Sequence, residues 1–281
     1  MTKRKRRKLQ KNIIIGTAVI AAMIVCSASF VSCTRSRLLK EQSQLIAFEY
    51  PYPTNNYQWD HLQIKGDYVS YEDENYTSQQ GVDVSVHQGT IDWKKVAGAG
   101  IEFAFIRTAY RGYGTGDFYS DDQFEANMKG ANENGIDAGI YVFSQAITVA
   151  EAAEEADYAI QSAKNYKIDL PIVFDMEGSI DGEEGRVMTI SSEERSQMAV
   201  TFMNRVKAAG YDVMYYGSTS LLENMFDLQY VQEYPLWLAE YDVYYPNYPY
   251  QFAYWQYSST AQVPGIDGNT TDMDIRFVPK N

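Results

Sequence analysis

The chain has 281 residues, enough for one large domain or two small ones with a sizeable core. Its formal net charge of −13 is unevenly spread: residues 1–40 carry ten of the 24 Lys and Arg and no acid, so the remainder sets 14 basic against 37 acidic groups. Such a surface disfavours nucleic acid and anionic membrane as partners of the folded part. The two cysteines, Cys26 and Cys33, both lie at the N-terminal end and leave the rest without disulfide, thiol nucleophile or thiolate metal site.

Seven basic residues between Lys3 and Lys11 precede Ile13–Ser32, a stretch of 20 residues without a formal charge. That length spans a bilayer, and the basic cluster holds the N-terminus inside, so the chain beyond about residue 34 is expected outside the cytoplasm. An uncleaved signal-anchor, a cleaved secretory signal at Ser27-Ala28-Ser29 and a lipoprotein signal at Phe30-Val31-Ser32-Cys33 all fit. An anchored protein is the favoured outcome of the three. Residues 1–34 are therefore read as a signal segment and 35–79 as a spacer rich in Tyr, Asn, Gln and acids, from which Trp59, Leu62 and Ile64 could pack onto the adjoining C-terminal domain.

From about residue 80 strand and helix signals alternate to the end. Gly81–Ser85 and Phe103–Arg107 read as strands, with a short helix opening at Ile91-Asp92-Trp93 between them. Helix 122–134 ends at Gly135, a C-cap signal. Ala138–Phe143 is the third strand, and Val149–Tyr166 an alanine-rich acidic helix. Pro171-Ile172-Val173-Phe174-Asp175-Met176-Glu177 reads as a buried fourth strand, apolar on both faces, with proline tolerated at its first position. Ser191 and Glu194 have the spacing of a capping box for a helix reaching Ala209. Asp212–Tyr216, Leu236–Glu240, Phe252–Tyr257 and Met273–Phe277 complete eight strands. Eight strands with intervening helices imply an α/β fold, a parallel (β/α) barrel. Pro246, Pro249, Pro264, Gly265 and Gly268 leave little room for helices in the last connections, so the barrel is expected to be irregular, with helices missing from its C-terminal third.

In such a barrel the functional site gathers at the C-terminal ends of the strands. Asp83 ends the first strand, Asp175 and Glu177 end the fourth on one face, and Asp272 sits where the eighth begins. Closing the barrel makes strands one and eight neighbours and brings Asp83 beside Asp272. Crowded carboxylates suit glycosidic bond cleavage, which needs one proton donor and one group that stays ionised. Repulsion among them raises at least one pKa, and Glu177 is expected to hold a proton near neutral pH. Four convergent acids also suit Mg²⁺ or Ca²⁺, but no phosphate-cradling glycine loop accompanies them, and no metal or other cofactor is expected. Arg107, inside an apolar strand, reads as an ion-pair partner for a site carboxylate, and His87 as a surface residue near the mouth.

Six stretches stand out in order: Gly81-Val82-Asp83-Val84-Ser85, Gln88-Gly89-Thr90-Ile91-Asp92-Trp93, Phe174-Asp175-Met176-Glu177, Leu236-Trp237-Leu238-Ala239-Glu240-Tyr241, Trp255-Gln256-Tyr257-Ser258-Ser259 and Val263-Pro264-Gly265-Ile266 leading to Asp272-Met273-Asp274. Together they resemble the glycoside hydrolase family 25 lysozymes. The resemblance covers residues 80–281 in the same order. It implies an N-acetylmuramidase acting on the β-1,4 bond between N-acetylmuramic acid and N-acetylglucosamine, so peptidoglycan glycan strands are the implied partner of what is expected to be a monomer. Glu177 matches the general acid and Asp175 the partner that orients the substrate acetamido group or polarises the site, with Asp83 and Asp272 as flanking carboxylates. Tyr141, Tyr216, Trp237 and Trp255 match the aromatic cleft positions, whereas Phe143 stands where a more polar residue is usual. A retaining scheme through the acetamido oxygen and an inverting scheme with Asp83 as base both remain open, since carboxylate separation decides between them. A chitinase-like hydrolase and a non-catalytic wall-binding module on the same fold are the competing readings.

Overall fold

The computed structural model describes residues 52–180, 182–267 and 270–280. Segment 1–34, including Ile13–Ser32 and Cys33, and the start of the 35–79 spacer lie outside the described residues. Among the described residues, no helix is long and apolar enough to cross a membrane. Those up to Asp242 and from Asn247 onward form one compact unit.

Eight strands close into a barrel: β1 (Tyr76–Val84), β2 (Phe103–Arg111), β3 (Asp137–Ser144), β4 (Ile172–Met176), β5 (Val213–Ser218), β6 (Leu236–Ala239), β7 (Tyr254–Ala261) and β8 (Thr271–Pro279). Strands β1 to β7 pair in parallel with their sequence neighbours. Strand β8 departs from the parallel expectation, running antiparallel to both β7 and β1. The cause is the connection before it: only nine residues, 262–270, separate the two strands, and a parallel crossover needs a dozen or more residues, usually with a helix.

The helices expected from sequence lie where their caps place them. Thr148 with Glu151, and Ser191 with Glu194, form reciprocal capping boxes that start Val149–Ala163 and Ser192–Ala208. These two helices pack on each other outside the barrel. Among the described residues after β5, only the short helices Thr219–Asn224 and Leu228–Val231 remain, and none lies between β6 and β7 or between β7 and β8. The irregular α/β barrel with few helices in its C-terminal third is thus observed.

The spacer assigned to 35–79 differs from expectation. Leu62–Lys65 and Tyr68–Tyr71 form a hairpin, and β1 starts at Tyr76. Tyr57 stacks on Phe277 at 4.1 Å between ring centroids, Trp59 lies parallel to Phe252, and Leu62 is buried, while Ile64 stays exposed. The polar start of β1 hides its strand character because its side chains find partners: Gln80 Nε2 donates to Tyr257 Oη and to the Asp274 carbonyl, each at 2.7 Å.

Inside the barrel, Phe103, Phe105, Tyr141, Val173, Met214, Trp237 and Tyr254 fill the lower layers. Two glycines make room for them. A Cβ at Gly81 would stand 2.2 Å from the Phe103 ring, and one at Gly139 would stand 2.6 Å from Phe105 and 2.8 Å from the Pro171 carbonyl. This packed floor fixes the height at which the polar residues above it begin.

Candidate active site

Above the aromatic floor, at the C-terminal ends of β1 to β7, lies a cavity of about 280 Å³. Asp83, Asp175, Glu177 and Asp272 all line it, as do Tyr141, Tyr216 and Trp237. Register accounts for the convergence. Asp272 is the direct cross-strand partner of Asp83, and Asp175 is flanked by Tyr216 on β5 and Phe143 on β3. Asp175 and Glu177 share a face because side chains alternate along β4 and just past its end.

Trp255 does not belong to this group. Its neighbours Tyr254 and Gln256 face the barrel interior, so by alternation the indole faces outward, donating to the Glu240 carbonyl at 2.9 Å and meeting Trp59 edge-on. Arg107 lines the cavity, but its Nε pairs at 2.8 Å with the fully buried carboxylate of Asp121, outside the expected quartet. His87 also reaches the cavity wall.

Three further residues build the site. Gln256 holds it together: its Nε2 donates to Asp83 at 2.6 Å, and its Oε1 accepts from Tyr216 at 2.9 Å and Tyr241 at 2.5 Å. Asp274 lies beneath, accepting from Trp237 Nε1 at 2.8 Å. Gln256, Tyr241 and Asp274 all fall inside the stretches that carry the family resemblance. Asp274 was accessible by the alternation that links Asp175 to Glu177, applied two positions after Asp272. A fourth contact fixes the Glu177 backbone, whose carbonyl accepts from Gln145 Nε2 at 2.7 Å.

The electrostatics follow from burial and crowding. Glu177 is raised to about 7, mainly by desolvation and then by the charge of Asp272. Desolvation lifts Asp272 to about 6. Asp175 is pushed well above the usual carboxylate range by burial and by Glu177, while the Arg107 guanidinium opposes the rise. Burial, Asp272 and Asp274 push Asp83 up as well, against the hydrogen bond from Gln256. The cluster therefore retains protons into the neutral range, and they belong to the group of acids rather than to single residues. Asp175 Oδ1 is buried with no hydrogen-bond partner among the described residues, and Asp175 is one of the residues that line the cavity.

Residues 82–266 match the family described as Glycosyl hydrolases family 25. The chain belongs to glycoside hydrolase family 25. It is similar to Lysozyme M1 of Streptomyces globisporus, 31% identical over 199 residues, covering 68% of this chain and 65% of that one. The autolytic lysozyme of Clostridium acetobutylicum is 27% identical over 195 residues, or 69% of this chain and 55% of that one. The match thus spans less than two thirds of either relative. Among solved structures, the bacterial lysozyme from Streptomyces coelicolor superimposes with a TM-score of 0.56 at 31% identity, covering 70% of this chain and 90% of that one. Sequence and structure thus agree on the family and on the closed barrel.

Proposed function

We propose that this family 25 chain is a peptidoglycan hydrolase, cleaving the β-1,4 bond from N-acetylmuramic acid to N-acetylglucosamine with Glu177 as general acid. The observation that carries the reading is a carboxyl group raised to about 7 beside a second, more deeply buried carboxylate on the same wall of one cavity. Glu177 stands half-buried at the end of β4 and exchanges its proton with substrate. The guanidinium of Arg107 favours leaving the negative charge of the pair on Asp175. Asp175, which lines the same cavity, is suited to orient the acetamido group of a bound sugar and to steady the cationic centre that forms as the bond breaks. Asp83 and Asp272 frame the opposite wall, and Tyr141, Tyr216 and Trp237 supply apolar surface with polar tips, the combination that suits sugar rings.

The same reading places the catalytic unit outside the cytoplasm, tethered through Ile13–Ser32 or a lipid on Cys33, with glycan strands as its partner. Protease added to intact protoplasts should digest residues 41–281, and Cys33→Ser separates lipid attachment from a spanning helix. The test of the activity is release of reducing ends from purified peptidoglycan, with mass analysis of the new termini. New N-acetylmuramic acid reducing ends support the proposal. Release from chitin but not from peptidoglycan, or glycan binding without cleavage, would replace it with a chitinase-like or a binding function.

A further inference from the structure

We propose that Gln145 is a positioning residue for Glu177: its side-chain amide grips the Glu177 backbone from the end of β3 and holds the carboxyl group in its place on the cavity wall. The inference rests on reading this cavity as the muramidase site.

Glu177 lies just past the last ladder pair of its strand, Ser144 with Met176, so the sheet no longer dictates where its carboxyl group stands. Two hydrogen bonds take over there. Gln145 Nε2 donates to the Glu177 carbonyl at 2.7 Å, and the Gly185 amide donates to the Gly178 carbonyl at 2.8 Å. The first comes from a side chain that is completely buried, at 0% exposure. A buried amide is costly unless its polar atoms are paired. Its Oε1 meets the Val187 amide only at 3.5 Å, so the Glu177 carbonyl is the short contact.

The grip is firm because its base is anchored. Ser144 Oγ accepts from the Ala146 amide at 3.2 Å and donates to Glu155 Oε2 at 2.6 Å. Glu155 is fully buried and bonded through Oε1 to Arg111 Nε at 2.6 Å. The residues on both sides of Gln145 are thereby tied to β2 and to helix Val149–Ala163. Space around the amide is equally constrained. A Cβ at Gly185 would stand 2.3 Å from Gln145 Oε1, so alanine there displaces the amide.

The place that Gln145 secures sets the acidity of Glu177. Facing this carboxyl are Asp175 on its own strand, Asp272 on β8, and Tyr216 and Tyr241 at the ends of β5 and β6. Asp83, Arg107 and His87 line the cavity elsewhere. Burial outweighs Asp272 in raising Glu177 to about 7. A carboxyl group released from this position meets more water, so its pKa falls back towards 4.5.

Two variants of the full chain test the proposal. Gln145→Met keeps the side-chain volume and removes the donor. Gly185→Ala leaves Gln145 intact but pushes its amide aside; φ at Gly185 is −74°, which alanine adopts freely, and the clash falls on the side-chain ends of Gln145 and Tyr113. Each should lose about ten- to a hundredfold in kcat on peptidoglycan with KM nearly unchanged, since a misplaced reacting group acts on turnover. The basic limb of kcat/KM should also move below 7, which a merely less stable enzyme would not show. Nuclear magnetic resonance of protein labelled at the glutamate carboxyl carbons reads the same shift without reference to activity, the Glu177 signal being the one missing from Glu177→Gln. A folded Gln145→Met protein whose Glu177 titrates as in the wild type would overturn the proposal, as would wild-type kcat in that variant. If Gln145→Met does not fold, Gly185→Ala decides by the same two measurements. An inactive wild type would sink the muramidase reading, while the titration still reports whether Gln145 holds Glu177.

Discussion

Replacing Glu177 with glutamine isolates the proton on which the proposed chemistry depends. The side chain keeps its volume, and the backbone carbonyl keeps its hydrogen bond from Gln145, but an amide delivers no proton. The environment moves this carboxyl from an ordinary 4.5 to about 7. At pH 7 about half of the molecules then carry the proton, against roughly one in 300 at the ordinary value. General acid catalysis contributes roughly 10²–10⁴-fold, so Glu177→Gln should lose that factor in kcat with little change in glycan binding. The basic limb of kcat/KM, expected near 7 in the wild type, should vanish with it.

Stability gives an independent check with a defined sign. Because the folded-state pKa is raised, ionisation is disfavoured in the folded protein, and stability falls as pH rises from about 4.5 to about 7. The difference amounts to about 3 kcal/mol at most, and Glu177→Gln should flatten that part of the curve of unfolding midpoint against pH. Turnover of wild type and variant on the same peptidoglycan is the assay, with folding checked by circular dichroism. A folded Glu177→Gln protein keeping about a tenth of wild-type activity would remove Glu177 from the acid role.

Asp272→Asn removes a charge that raises Glu177, so the basic limb of kcat/KM should move to lower pH; a limb that stays or rises refutes the coupling. Arg111→Ala strands Glu155, which is fully buried and bonded to Arg111 Nε at 2.6 Å. It should cost about 3–5 kcal/mol in urea unfolding at alkaline pH. The loss should shrink below the Glu155 value of about 7, where that carboxyl takes a proton, and an unchanged midpoint would show that the pair contributes nothing. Gly139→Ala forces a methyl against Phe105 and the Pro171 carbonyl. Overpacking of this kind costs about 1–3 kcal/mol, and a variant as stable as wild type would mean that the barrel floor has slack.

The site was legible in sequence wherever one periodicity governed it. Asp175 and Glu177 share a face because a strand alternates, whereas Asp83 and Asp272 meet only because the last strand, expected to be parallel, runs antiparallel to the first. Trp255 shows where that reasoning stops. Strand β7 is buried on both faces over Tyr254–Tyr257, so hydropathy carries no mark of which residues point inward. Parity there is set by the interior partners of Gln256, namely Asp83, Tyr216 and Tyr241, which lie on other elements. The pairing of Arg107 with Asp121 was hidden for a similar reason. Asp121 sits in a loop after β2 and is held there by the Val86 and Gln123 amides, contacts that no local pattern announces.

The reversed eighth strand is what allows Asp272 to reach the site at all. Had β8 run parallel to β7, its first residues would lie at the floor of the barrel, and Asp272 would sit at the opposite end from Glu177. Its last residues, around Phe277–Pro279, would border the cavity instead. Running antiparallel, β8 enters at the mouth, so that Asp272 stands opposite Asp83 and Asp274 lies one inward-facing position deeper, beside Gly81. The short connection after β7 has no length for a helical crossover and dictates that direction. The prolines and glycines that remove helices from the C-terminal third therefore do more than make the barrel irregular. They turn its last strand around, and that turn delivers Asp272 to the cavity wall and Asp274 to the layer beneath it from a single Asp-x-Asp run.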